Sequence, residues 1–354
     1  MFAKRFQHLG EIERKRIVMP SDVTMRLNRL EKPEPWPPEL RDEIMAGFSA
    51  DAIQQYPAYQ PFYDRLAAFA GVQPHEIVVG AGIEEHIRNL FMLCVEPGDK
   101  VAFLWPTCAM FEIYCRVFGA EPVRILANPD LGYNLQAMID QVPADVKLFI
   151  LANPGQPIET SFGYGSLAPV ARIMADRGAV LAVDEAYHGF GGPTMVGMHD
   201  RHDNLVVLRT FSKAFGAASL RLGYAIAGPT IIRALDAVRQ SGEVSAFSMH
   251  AATVLMDRFE THVKPSIDGI IEARDALRDR VMTELGFQAY GHFANHVLID
   301  FGTVALKETA EDALAAWGIY VKANFPAPLD RHMLVTCGSP ELMDRFFRNL
   351  RAAV

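Results

Sequence analysis

The chain has 354 residues, half of them hydrophobic, and a formal net charge of −8. An acidic balance with interspersed signs argues against nucleic acid as the main partner, and no apolar run reaches the length of a membrane-spanning helix. Four cysteines (Cys94, Cys108, Cys115, Cys337) form neither a CxxC pair nor a His/Cys cluster, so no disulfide framework and no metal site is expected and the cytoplasm is the default compartment.

Residues 1–38 are polar and proline-punctuated, ending in Lys32-Pro33-Glu34-Pro35-Trp36-Pro37-Pro38. Prolines deny both helix and central strand, so an extended arm is predicted. From Glu39 onward apolar runs alternate with helical patterns. Ile77-Val78-Val79 predicts a strand, followed by the turn Gly80-Ala81-Gly82 and a helix over 84–93. Further strands are predicted at 100–104, 147–151, 179–183 and 205–208. Short buried strands between amphipathic helices predict a mostly parallel sheet covered on both faces. A helical stretch over 231–241 leads into a different pattern: helices over 251–259 and 267–285, strands at 296–301 and 333–336, and a helix over 340–353. The expected fold is α/β. A large three-layer α/β/α domain (39–242) is followed by a smaller C-terminal α+β domain (243–354), against which the arm (1–38) packs.

Two motifs carry the chemistry. The run Ala179–Val183 delivers Asp184 at its end, followed by Glu185-Ala186-Tyr187. Thr210-Phe211-Ser212-Lys213-Ala214-Phe215-Gly216 sets a lysine in a loop of small and hydroxyl-bearing residues, with Arg221 close behind. A desolvated lysine sheds its proton readily and becomes an amine nucleophile. Ser212 and the arginine fork suit a phosphate, as do glycine-lined amides at a helix start. Doubly wound sheets bind ligands beyond the carboxyl ends of their strands. An acid, a lysine and an anion site in that place outline a pyridoxal phosphate (PLP) site.

These motifs resemble the fold-type I PLP enzymes, in particular the class I/II aminotransferases of the histidinol-phosphate aminotransferase-like branch. The similarity extends to Gln55-Tyr56-Pro57, Glu96-Pro97-Gly98-Asp99, Pro106-Thr107, Ala294-Asn295 and Gly338-Ser339-Pro340-Glu341. It implies a ping-pong transfer of an amino group from a donor to a small carbonyl acceptor, phosphorylated acceptors included. Lys213 would be the Schiff-base lysine. Asp184 would pair with the cofactor's ring nitrogen and Tyr187 with its phenolate oxygen. Ser212, Arg221 and Gly80-Ala81-Gly82 would hold its phosphate. It also implies a homodimer in which Tyr56 reaches the partner's cofactor. Decarboxylation, elimination or cyclisation on the same scaffold are the alternatives, and a non-catalytic PLP-binding protein is the alternative from another class.

Three departures from the family pattern bear on substrate. Asn153-Pro154-Gly155-Gln156 stands where the family has Asn-Asn-Pro-Thr-Gly, which places Gln156, or else Asn153, against the phenolate. Cys108 replaces an aromatic over the pyridine face, with Phe111 as the other candidate. Leu334 occupies the place of the carboxylate-clamping arginine, leaving Arg26, Lys322, Arg331 and His332 as candidate cations for the substrate.

Overall fold

The computed structural model describes residues 22–242 and 244–354, together with Leu9 and Ile12. Most of the arm expected over 1–38 upstream of residue 22 thus lies outside the described residues. The strands are β1 (Met25–Leu27), β2 (Ile77–Gly80), β3 (Lys100–Trp105), β4 (Glu121–Leu126), β5 (Val146–Ala152), β6 (Val180–Asp184), β7 (Leu205–Thr210), β8 (Gly223–Ala227), β9 (Gln288–Tyr290), β10 (His296–Asp300), β11 (Ile319–Val321) and β12 (His332–Thr336).

Seven strands form one sheet in the order β2-β8-β7-β6-β5-β3-β4. All neighbours are parallel except where β8 runs against β2 and β7. Successive side chains of a strand point to opposite faces, and the core divides accordingly. Ile77, Val79, Ala102, Leu104, Leu205 and Val207 enter one buried cluster. Val78, Val101, Phe103, Val206 and Leu208 enter a second. Helices Ile83–Cys94, Ala109–Phe118 and Pro229–Val238 cover the second face. Burial on both faces explains why the strands read as unbroken apolar runs. It also aligns the carboxyl ends of β6 and β7, which pair in parallel with Asp184 opposite Leu208.

The C-terminal part carries an antiparallel sheet, β12-β10-β9, packed with helices Lys264–Glu284 and Pro340–Ala353. The arm is not wholly strandless: β1 pairs in parallel with β11. It sits upstream of the prolines, where its N–H groups are still available. Beyond β1 the arm is tied by Leu30 N–H to Thr336 Oγ1 (2.9 Å), by Asn295 Nδ2 to Leu30 O (3.2 Å) and by Ser339 Oγ to Glu34 Oε1 (2.6 Å). It then crosses the Lys213 loop. A Cβ on Gly216 (φ +56°) would stand 2.6 Å from Lys32 Cδ and 3.2 Å from Trp36, so a side chain there would have to displace Lys32 and hold a left-handed backbone that favours glycine. Pro38 opens a helix, Pro38–Ala46, as proline does at a first helical position. Among the described residues no helix is long and apolar enough to cross a membrane.

Candidate active site

β6 ends in Asp184, whose Oδ1 accepts the Ala186 N–H at 2.9 Å. On the next strand Thr210 Oγ1 accepts the Ser212 N–H (3.1 Å) and donates to Ser212 Oγ (3.0 Å), a local turn that swings Lys213 back over the strand ends. Beneath them lies a buried pair that sequence reading missed. Arg209 Nε donates to Glu185 Oε2 (2.9 Å), and Thr194 Oγ1 donates to the same oxygen (3.0 Å). This network locks β6 to β7 directly below the two functional side chains.

Lys213 Nζ donates to the backbone carbonyl of Arg29 (3.2 Å) and lies 5.8 Å from the centre of the Tyr187 ring. Burial lowers its pKa to about 8, opposed by Cys108 and Glu31 and assisted by Lys322 and Arg29. Such an amine gives up its proton near neutrality and can act as nucleophile and base. Asp184 moves the other way. Burial lifts it to about 6, while the Ala186 N–H and the Lys213 charge oppose the rise. Burial also raises Tyr187 well above the usual phenol value. Its ring meets His296 edge-on at 5.9 Å.

The anion end of the site differs from expectation. The Ala81 N–H donates to Glu85 Oε2 (2.6 Å) and the Gly82 N–H to Gly80 O (2.7 Å). Both amides are spent inside the turn, leaving that of Ile83, first in its helix, to meet an anion. A Cβ on Gly82 would stand 2.9 Å from Arg221 Nη2, and one on Gly223 would stand 2.6 Å from Ile83 N. The glycines therefore admit the guanidinium and the helix start to one spot. Arg221 has φ +48°, a left-handed backbone that costs a non-glycine residue about 1–3 kcal/mol. That strain is spent on aiming its side chain over Gly82.

The structure places the other candidates as follows. Phe111 is fully buried and packs on Phe103 at 6.0 Å in the core. A ring waiting to stack on a ligand would face open space, so Phe111 is a packing residue. Cys108 instead interacts through space with Asp184 and Lys322. Asn153 is consumed by the loop it closes, donating to Phe162 O (2.8 Å) and accepting from Phe162 N–H (2.9 Å). Gln156 is held by Lys322, whose Nζ donates to Gln156 Oε1 at 3.0 Å. Leu334 is wholly buried and bridges the backbone of Lys322. Arg26 is committed to Glu31 (2.7 Å) and Arg331 to Asp300 (2.7 Å). His332 is buried, 3.6 Å from Asp300. Tyr56 is 90% exposed. Arg29 was missed, although its carbonyl holds Lys213 and, among the described residues, its guanidinium has no ion-pair partner.

The sequence profile of "Aminotransferase class I and II" matches residues 30–350. The chain belongs to this family. A histidinol-phosphate aminotransferase of Caldanaerobacter subterraneus subsp. tengcongensis is 31% identical to the aminotransferase over 328 residues, 89% of this chain and 90% of that one. One from Thermococcus kodakarensis is 30% identical, covering 92% and 91%. The structure of a histidinol-phosphate aminotransferase from Sinorhizobium meliloti in complex with pyridoxal-5'-phosphate superposes with a TM-score of 0.86 at 21% identity, over 100% of this chain and 99% of that one. The aminotransferase is thus a fold-type I, PLP-dependent enzyme. Its own residues fit that cofactor. Asp184 is a carboxylate raised by burial, a cost that a protonated ring nitrogen beside it would offset. Gly82 and Gly223 let the Arg221 guanidinium and the Ile83 amide approach one spot, a donor set that suits a phosphate.

Proposed function

We propose that the aminotransferase takes its amino group from an amine that lacks an α-carboxylate and carries an anionic group further away, the chemistry of an amino-alcohol phosphate such as histidinol phosphate. The observation that carries this reading is Leu334, fully buried where the family resemblance puts a carboxylate clamp, with Arg26 and Arg331 already neutralised. A leucine makes no charge-assisted contact, so an α-carboxylate would meet no fork there. The distal anion is assigned to Arg29, whose carbonyl accepts from Lys213 Nζ and whose charge acts on both Lys213 and Lys322.

PLP, when bound, supplies the electron sink for the carbon bearing the amino group. Asp184 holds the proton on the ring nitrogen through its carboxylate. Lys213 Nζ, whose pKa burial lowers to about 8, would take the proton from the substrate carbon and deliver it to the cofactor carbon that keeps the transferred nitrogen. Tyr187 Oη donates to the phenolate oxygen. Arg221, Ser212 and the Ile83 amide would hold the phosphate, and the arm between Arg29 and Trp36, which packs on the Lys213 loop, would screen the site from water. The test is a single half-reaction, followed by loss of the cofactor's visible absorbance. Histidinol phosphate should bleach the holoenzyme at concentrations at least about tenfold below those L-glutamate or L-aspartate needs, because a charge-assisted contact of ~1.4 kcal/mol or more is missing for the amino acids. Equal or better bleaching by the amino acids overturns the reading.

We further propose a homodimer in which Tyr56 completes the partner's site. Tyr56 (90% exposed), Ile53 (75%) and Met45 (65%) leave a bare apolar stretch on this segment. Mixing Lys213→Ala chains with Tyr56→Phe chains should give hybrids in which one site carries both defects and the other neither. The mixture should then exceed the mean activity of the two parents. Activity equal to that mean, or a monomeric mass by light scattering, refutes the shared site.

A further inference from the structure

Gln156 and Lys322 meet across 166 positions of sequence. Gln156 lies in the loop after β5, next to the strand that delivers Asp184. Lys322 follows β11, and its backbone is fixed by two hydrogen bonds, Lys322 N–H to Leu334 O (3.0 Å) and Leu334 N–H to Lys322 O (2.8 Å). Its Nζ lies 5.2 Å from the Phe325 ring centre and donates to Gln156 Oε1 at 3.0 Å. An ammonium group has donors and no acceptor, so an amide that faces it must present its oxygen. The amide's other end is thereby settled. Nε2 turns away from Lys322 with both N–H groups, and among the described residues it has no hydrogen-bond partner.

We propose that Lys322 is a positioning residue: it holds the Gln156 amide so that Nε2 donates to the phenolate oxygen of the cofactor, and its own charge is used there rather than on the substrate. This deepens the reading of the chamber as a PLP site and rests on it. The pairing also accounts for two of the departures together. Glutamine has one more rotatable bond than asparagine, and the Lys322 contact removes that freedom. Leu334 stands directly across the bridge from Lys322, where an arginine would set a like charge beside it and compete for Gln156 Oε1. The groups around Lys322 are Arg29 on the arm, Cys108, Lys213 and His296 on β10. Arg29 and Lys213 are like charges, which makes the Gln156 carbonyl the natural acceptor for the ammonium.

The experiment reads the substrate-free holoenzyme, prepared with PLP, by the pH midpoint of its visible absorbance. A donor on the phenolate oxygen weakens that oxygen's hold on the neighbouring proton, so losing the donor moves the midpoint up. Gln156→Leu should raise it by about one pH unit, the size of one hydrogen bond. Lys322→Met should raise it comparably, and the double variant no further than the larger single shift, because both remove one coupled contact. Lys322→Arg, which can also donate to Oε1, should stay near wild type. Additive shifts would show a bare charge effect and overturn the proposal. So would an unchanged midpoint in Lys322→Met, even with a raised KM for the anionic substrate. Wild-type protein that gains no visible band with PLP would overturn the PLP reading itself, an outcome distinct from either.

Discussion

Lys213→Ala is expected to abolish detectable transamination while leaving the fold and cofactor binding in place. The side chain has two tasks, covalent attachment and proton transfer, and the second alone contributes about 10²–10⁴-fold. On the proposed assignment Arg221, Ser212 and Asp184 would still hold PLP in the variant, so binding measured by dialysis and absorbance should survive. Borohydride treatment of wild-type holoenzyme should fix the cofactor to one peptide. Trypsin cuts after Arg209 and Arg221 and would skip a modified Lys213, so the label should appear on residues 210–221. A label elsewhere, or a Lys213→Ala enzyme within tenfold of wild type, removes Lys213 from its role.

Asp184→Asn is expected to push activity and stability in opposite directions. An amide cannot hold a ring nitrogen protonated as a carboxylate does, and a loss of about 4 kcal/mol in the barrier is roughly a thousandfold in rate. The cofactor-free protein should gain. Asp184 has its pKa raised from 3.8 to about 6 by burial, so the folded state binds its proton more tightly than the unfolded state. Stability therefore falls as pH rises from about 4 to about 6, and the burden is full above that. Two pKa units correspond to about 3 kcal/mol. Asp184→Asn apoprotein should melt higher than wild type at pH 7–8, with the advantage gone below pH 4. An apoprotein destabilised at pH 7.5, or holoenzyme turnover near wild type, contradicts this account.

Much of the frame is legible in the chain because burial on both faces leaves a local mark. Runs such as Leu205–Leu208 read as strands without reference to anything distant, and Asp184 and Lys213 follow such runs directly. What is not legible has a shared cause: it turns on which atoms are already taken. Phe111 and Cys108 both stand near the start of a helix, and only its docking shows that Phe111 faces the sheet. The amides of Ala81 and Gly82 look available until Glu85 reaches back to one of them. A glutamate three residues after a helix-capping position is the signal that could have given warning. That Asn153 bonds to Phe162 is not legible, because its partner lies across a loop. Arg29 belongs to no motif. Its place over Lys213 comes from the docking of the arm, across 184 positions of sequence. β8 is another such case, since Gly223–Ala227 carries no sign that it runs against its neighbours.

The route of the arm also sets an order of events during synthesis. β1 takes its strand partner from β11, and Leu30 is held by Thr336, 306 positions later. Contacts of such span form late, since the loop between them must first be ordered. Residues 22–34 leave the ribosome long before the residues that seat them exist. A nascent chain can build the seven-stranded sheet once residue 227 has emerged, with Asp184 and Lys213 already at the strand ends. Lys213 then has no Arg29 carbonyl above it, so a segment made early is among the last to be placed, and the Lys213 loop stays uncovered until residues 319–339 arrive.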